Sequence, residues 1–459
     1  MSMPRRQGGD VLSWLSRVSF ALSYLLAMST PAWKQGTFTH VPVLRFRLSG
    51  QRFQVGVLTL LPLLSAVAWG VAHVVQRPAR GWRWGPRHAL LPVIGFGAWS
   101  LIRIWPIHIQ HTALVTAVSI ALFWSTYLYL LQEQGERWAL WLVAALVTVQ
   151  GGVAVLQFAR QSALGLSALG ELAIDPQGQG ASVIEAGGRR WLRAYGLTPH
   201  PNVLGGYLGM GLLVCLGALV FGRARWRRWL WVPLILGSMG LFFTFSRAAW
   251  LGTGVGLAFM IAVTRLWRVV QWRSPRVRQR ACVAGIVLVA AAVVLSVLFR
   301  DLLVTRFLRL SSPLEATSIQ ERLVDMRQAW GLIRTVPLKG TGSGYYIGAL
   351  WAGVGEDRPP GFRRVHSTLL LATAELGVGG ALLWMWLLLA SPVALVRQPE
   401  RARSQIVGWA GALLAAVVVG LFDSYLYIPS TWWPALYVGL MLGGWACAYG
   451  TGRDQEQTR

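Results

Sequence analysis

An all-α, polytopic membrane bundle is the fold class that this sequence predicts, and three observations predict it. Of the 459 residues, 54% are hydrophobic and only 13% are charged, about half the charged share of a soluble domain. The apolar residues come in blocks and not in alternation, many of them about 20 residues long. That length lets a helix cross the hydrocarbon core with its own backbone hydrogen bonds satisfied. The cations, nearly all Arg with Lys34 and Lys339 the exceptions, gather in the short gaps between blocks.

Twelve spans are expected, near 11–31, 54–75, 88–105, 112–131, 137–158, 201–221, 229–245, 248–266, 281–299, 367–392, 405–423 and 431–450. The first contains Arg17 and reads as a retained helix, not as a cleaved signal. The gaps at 77–87, 223–228, 265–280 and 397–403 are dense in Arg. The positive-inside rule makes them cytoplasmic, and alternation then puts both termini there too. One gap argues the other way: Lys34, Arg45, Arg47 and Arg52 follow the first span and fall outside. The net charge of +26 is thereby explained by topology and by contact with membrane lipids, and no nucleic-acid partner is expected. Cys215, Cys282 and Cys447 sit inside apolar blocks with neither disulfide nor zinc spacing.

The chain reads as one membrane domain, 1–459, with two long polar segments on the external side, near 159–200 and 300–366. In the second, Ile319, Leu323, Met326, Trp330 and Ile333 recur at helical spacing. Ser318 and Glu321 suggest a capping box. An amphipathic helix near 318–335 over the mouth of the bundle is expected, and an interfacial anchor is its plainer alternative. Gly340, Gly342 and Gly344 follow Pro337 and lack the Lys-Ser/Thr of a phosphate-binding P-loop, so they read as a turn. The 25 tryptophans are mainly an interfacial belt.

Four polar clusters meet at the external face: Arg193 to Asn202, Phe245-Ser246-Arg247, Glu321-Arg322 and Val365-His366-Ser367. Arginine offers planar, bidentate donors to phosphate oxygens, and an imidazole is suited to accept a proton near neutral pH. Each residue also has a plainer reading. Arg247 fits a snorkelling arginine between spans. Arg193 competes with Arg189 and Arg190, and Arg322 has Glu321 or Asp325 as a partner on its own helix. His366 fits an interfacial helix start, and His200 and Asn202 fit the capping of the sixth span.

Taken in order, these clusters resemble the O-antigen ligase and polymerase superfamily of bacterial glycan assembly. The resemblance rests on Arg-x-x-Gly-x-x-x-His-Pro-Asn at 193–202, Ser246-Arg247, Arg322 with Trp330 and the Pro-Leu-Lys-Gly-Thr-Gly of 337–342, and His366 with Glu375-Leu-Gly. It covers roughly residues 90–445. Asn often follows the histidine in that family, whereas Ser367 stands here.

The resemblance implies a cell-envelope glycosyltransferase of the bacterial inner membrane. It would move glycan from undecaprenyl diphosphate to a hydroxyl of a glycan or lipid acceptor, as in lipopolysaccharide assembly. Arg193, Arg247 and Arg322 would bind the diphosphate. His366 would be the catalytic base, with Asp423 orienting it and His200 and Asn202 in support. Glu375, nine residues beyond His366, falls near the opposite helix face and suits the site less. No paired carboxylates for a metal stand in the external segments, so the expected transfer is metal-independent and inverting, with no cofactor. A repeat-unit polymerase of the same family is the alternative, and a flippase of lipid-linked oligosaccharide is the rival from another class. A shape, elongation and division type polymerase would rely on an Asp such as Asp423.

Overall fold

The structure is a computed structural model that describes residues 18, 20–21, 43–48, 51–56, 64–71, 82–104, 110–178, 180–222, 225–266, 272, 274–307, 313–353, 362–397, 406–430 and 432–454. It is mostly helical. Six helices are long and apolar enough to cross a membrane: the stretches Thr112–Gln132, Arg137–Arg160, Pro201–Phe221, Arg247–Arg265, Pro275–Leu298 and Thr368–Arg397. Arg87–Ile102 and Ile406–Phe422 are shorter apolar helices. The described residues therefore give six candidate spans where the hydropathy pattern suggests twelve. Most of the expected first span lies outside the described residues. The second, expected at 54–75, is in a strand up to residue 56 and helical over 64–71, and the rest of it lies outside the described residues.

In chain order the helices are α1 (Arg87–Ile102), α2 (Gln110–Tyr129), α3 (Gly135–Arg160), α4 (Pro201–Phe221), α5 (Trp231–Phe243), α6 (Arg247–Leu266) and α7 (Pro275–Leu298). They continue as α8 (Arg300–Phe307), α9 (Pro313–Thr335), α10 (Tyr346–Ala352), α11 (Thr368–Arg397), α12 (Ile406–Phe422) and α13 (Trp432–Asp454). Among the described residues the all-α expectation missed two antiparallel hairpins, β1–β2 (Val43–Leu48 with Gln51–Gly56) and β3–β4 (Val183–Ala186 with Arg189–Leu192). The second has a recognisable cause: Gly187 and Gly188 both take positive φ, 60° and 72°. A two-residue hairpin turn needs that conformation and glycine supplies it without strain.

α4 and α12 form the centre and are almost wholly buried. α12 packs on α4, α6 and α11, α3 packs on α4 and α5, and α13 packs on α2 and α3. Glycines carry these seams. Gly256 of α6 faces the backbone of Gly411 on α12, and Gly408 of α12 faces the backbone of α4. With no side chain between them the helix backbones approach closely, which is how helices associate where lipid removes the hydrophobic drive. α7 is peripheral: Ile286, Val289, Val293 and Val297 are all exposed.

Among the described residues, the polar segment between α7 and α11 holds three helices, of which only α9 was expected. α9 starts at Pro313, before the suggested box at Ser318 and Glu321. Proline is pre-set for the first helical turn, and the Glu321 carboxylate instead pairs with Arg363 at 2.8 Å. The expected apolar stripe is split, with four of its five residues exposed and Ile333 buried. Ile319, Leu323, Met326 and Trp330 are exposed, and the buried side carries Asp325, Ala329 and Ile333. The face toward the protein is set by what lies beneath it, which is a polar cluster.

Candidate active site

Hairpin β3–β4 delivers the chain to Arg193. Beyond it two buried glutamines hold the backbone: Gln157 Oε1 accepts from the N–H of Tyr195 (3.2 Å) and Gly196 (2.8 Å), and Gln150 Oε1 from that of Leu197 (2.8 Å). Arg193 is therefore fixed, and only 4% of it is exposed. Its Nε donates to the Thr244 carbonyl, one Nη to Ser182 Oγ and the other to Asn202 Oδ1, all at 2.7 Å. Three of its five N–H donors are thus engaged. Burial, then the charges of Arg322 and Arg247, push its pKa well below the usual arginine value against the pull of Tyr195 and Asp423.

His200, and not Asn202, is the N-cap of α4: its Nδ1 accepts from the Asn202 N–H at 3.1 Å. An imidazole nitrogen that accepts carries no proton, and the environment agrees. Burial, then Arg193, drive His200 down to about 3, with His366 and Arg322 acting in the same sense and Asp423 against. The capping frees the Asn202 side chain to reach across the bundle, where its Nδ2 donates to Asp423 Oδ2 at 3.0 Å.

Phe245 opens the Phe-Ser-Arg turn between α5 and α6 in the left-handed region, at φ 46°, while fully buried among Phe158, Phe242 and Trp250. A phenylalanine holds that conformation only when its surroundings over-determine it. Two arginines do so here. Arg193 takes the Thr244 carbonyl, and Arg306 of α8 takes the Phe245 carbonyl through Nε at 3.3 Å. Arg247, the next but one residue, donates back to the Arg306 carbonyl at 3.5 Å.

Arg306 is the cation that the sequence reading missed. It lies within electrostatic reach of Arg193, Arg247 and Arg322, and burial followed by those three charges pushes it far below the ordinary arginine value. A guanidinium keeps its proton under such pressure. Four cations drawn together in this way suit an anion, which would relieve both the repulsion and the desolvation.

His366 stands just before α11, with 36% of its side chain exposed. Ser367 caps that helix, its Oγ accepting from the Leu370 N–H at 3.3 Å. Thr368 donates twice to the Asp423 carbonyl, from N at 3.0 Å and from Oγ1 at 2.8 Å. The start of α11 and the end of α12 are thereby locked together, and His366 Nδ1 lies 3.7 Å from Asp423 Oδ1. Burial pushes the Asp423 carboxyl up. His366, His200 and Asn202 outweigh it and hold the group below its usual range. On the other side of the ring, His366 Nε2 lies 3.9 Å from Oδ2 of Asp325 on α9, a carboxylate that sequence reasoning treated only as a partner for Arg322.

Arg193, His200, Asn202, Asp423 and His366 thus form one connected group, Asp325 lies beside His366, and Arg247, Arg306 and Arg322 lie within electrostatic reach of Arg193 or of one another. Glu375 stands apart. It is fully buried and its carboxylate accepts from the N–H groups of Gly344 and Tyr346. Thr341 and Gly342 donate to the carbonyls of Ala374 and Glu375, so the 337–344 turn is docked on α11 at its kink, Gly377.

No curated protein matches the chain. Residues 232–385 match the family model described as O-antigen ligase. That segment contains Arg247, Arg306, Arg322, Asp325, His366 and Glu375, and the match supports the resemblance to the O-antigen ligase and polymerase superfamily.

Proposed function

We propose that the protein is a metal-independent, inverting glycosyltransferase of the bacterial inner membrane, which moves glycan from undecaprenyl diphosphate to an acceptor hydroxyl. The coarser function, an O-antigen ligase or polymerase-type role in the membrane with lipid-linked glycan as partner, follows from the family match and the apolar helices. The observation that carries the finer reading is the juxtaposition of His366, flanked by Asp423, with the four arginines.

In this reading the acceptor oxygen attacks the anomeric carbon from the face opposite the diphosphate. The carbon–oxygen bond to phosphate breaks and its electron pair leaves with the phosphate oxygen. Arg193, Arg247, Arg306 and Arg322 stabilise the charge that develops there. His366 Nε2 takes the acceptor proton, and Asp423, drawn to the resulting imidazolium, steadies the ring. Asn202 and His200 hold Asp423 and the α4 entry in place. One displacement inverts the anomeric centre. The site is taken to face outward, with both termini cytoplasmic, and the exposed apolar side of α9 to meet lipid.

A ligase acting on a finished acceptor and a repeat-unit polymerase share this chemistry. A flippase has no use for a histidine flanked by carboxylates beside a diphosphate site. The experiment is transfer by the purified protein from undecaprenyl-diphosphate glycan to a panel of acceptors, with EDTA, for wild type and His366→Ala. Transfer that survives EDTA and collapses in the variant is expected, and the productive acceptor separates ligase from polymerase. A variant as active as wild type overturns the mechanism. If neither protein transfers, lipid flipping in liposomes becomes the reading to test.

A further inference from the structure

Asp325 has a place in the cluster that orientation of His366 does not explain. Its side chain is 5% exposed. Its Oδ2 accepts no hydrogen bond among the described residues and points toward His366 Nε2 from 3.9 Å. That separation is too long for a hydrogen bond, and the other ring nitrogen already faces Asp423. A buried carboxylate oxygen without a donor is costly, so the arrangement points to a donor that arrives with a ligand.

The charged groups around Asp325 do not supply that donor. Arg363 is engaged with Glu321 at 2.8 Å. Arg322, three residues back on α9, belongs to the arginine cluster around the diphosphate position. His366 Nε2 must be free of its proton to act as a base. Burial accordingly pushes the Asp325 carboxyl up, against the pull of Arg363, His366 and Arg322 and together with Glu321.

Two acceptor atoms, Nε2 of a partly exposed ring and the enclosed Oδ2 beside it, therefore stand 3.9 Å apart, slightly further than one hydrogen bond. Two neighbouring hydroxyls on a sugar ring, whose oxygens lie roughly a hydrogen-bond length apart, match that pair. We propose that Asp325 is an acceptor-binding residue whose Oδ2 takes a hydrogen bond from the hydroxyl next to the one that His366 deprotonates. The inference rests on His366 being the base. The attacking hydroxyl loses its proton to Nε2 as its oxygen bonds the anomeric carbon. The neighbouring hydroxyl keeps its proton and donates it to Oδ2, so no further bond is made or broken. An isolated alcohol would fill only one of the two places.

The test uses the full chain in lipid nanodiscs, with undecaprenyl-diphosphate glycan as donor. The acceptors are the sugar that the wild type uses and its monodeoxy analogues at the positions flanking the attacking hydroxyl. Asp325→Asn should raise the acceptor KM about ten- to a hundredfold and leave the donor KM unchanged. One deoxy analogue should cost the wild type a similar factor and cost the variant almost nothing more, since both remove the same hydrogen bond. Losses that simply multiply, or a fall in kcat with the acceptor KM unmoved, would overturn the assignment. If the variant does not fold, the wild type alone decides: indifference to every deoxy analogue sinks the proposal. His366→Ala run in parallel separates the two readings. An active His366→Ala removes the base, whereas an inactive one with multiplying losses removes only the role of Asp325.

Discussion

Asn202 donates to Asp423 Oδ2 at 3.0 Å and accepts from Arg193 at 2.7 Å, so one side-chain amide joins the cation of the β3–β4 hairpin to the carboxylate beside His366. Arg193, Asn202 and Asp423 are thereby parts of one hydrogen-bonded chain, and His366 Nδ1 lies 3.7 Å beyond its carboxylate end.

Breaking that chain should separate the two functions. Asn202→Ala leaves the charges of Arg193 and Asp423 in place but removes the bond between them. We expect kcat to fall about ten- to a hundredfold with the donor KM nearly unchanged, and stability to drop by about 2 kcal/mol from two buried, charge-assisted bonds. Steady-state kinetics with thermal melting in detergent check both. A donor KM that rises in step with the loss of kcat would contradict this division.

Arg306 is predicted to act on the donor. Arg306→Ala removes one cation and also the bond that holds the Phe245 carbonyl. The donor KM and the inhibition constant of inorganic pyrophosphate should both rise by about tenfold or more. Arg306→Lys keeps a charge but loses the planar fork, and recovers only part of the loss. Unchanged pyrophosphate inhibition in both variants would remove Arg306 from the anion site.

His200 predicts an acid limit to stability. Its pKa falls from 6.5 in the unfolded chain to about 3 in the folded one. A depressed pKa contributes stability that is present above 6.5 and is lost as pH falls toward 3, because the unfolded chain takes up the proton first. His200→Gln should flatten the decline of Tm across that window. An equal slope in variant and wild type would show that other groups set it.

The docked turn on α11 depends on two facing glycines. A side-chain carbon on Gly377 would collide with the Leu338 carbonyl, and one on Gly340 with the Glu375 carbonyl, and both residues have positive φ. Gly377→Ala should cost about 3 kcal/mol and loosen the segment that carries α9. Hydrogen exchange across 313–346 measures that loosening, and a protected, wild-type pattern would refute it.

The helices and the motif residues were legible because each leaves a local mark: an apolar block, a proline, a basic gap. Asp325 and Arg306 left none. One lies on a helix read through an apolar stripe to which it does not belong, and the other on a short helix outside every motif. Both acquire meaning only through neighbours more than 40 residues away. The exposure of four of the five stripe residues of α9 shows the limit of periodicity here. Hydrophobic spacing identifies the apolar face of a helix, but in a membrane that face seeks lipid as readily as protein. The β3–β4 hairpin was readable from Gly187-Gly188 between two short runs, a signal hidden inside what looked like an unstructured loop. His200 and Asn202 were placed correctly at the start of α4, but their division of labour depends on Arg193 and Asp423, which only the fold brings together.

The ring of arginines has a consequence for turnover. On the proposed reaction the spent carrier keeps its diphosphate, with more negative charge than it arrived with. A site built of fixed cations holds such a product at least as firmly as the donor. Departure of the lipid carrier, and not bond cleavage, would then pace the cycle, and any process that withdraws spent carrier from the membrane would govern how fast the protein works.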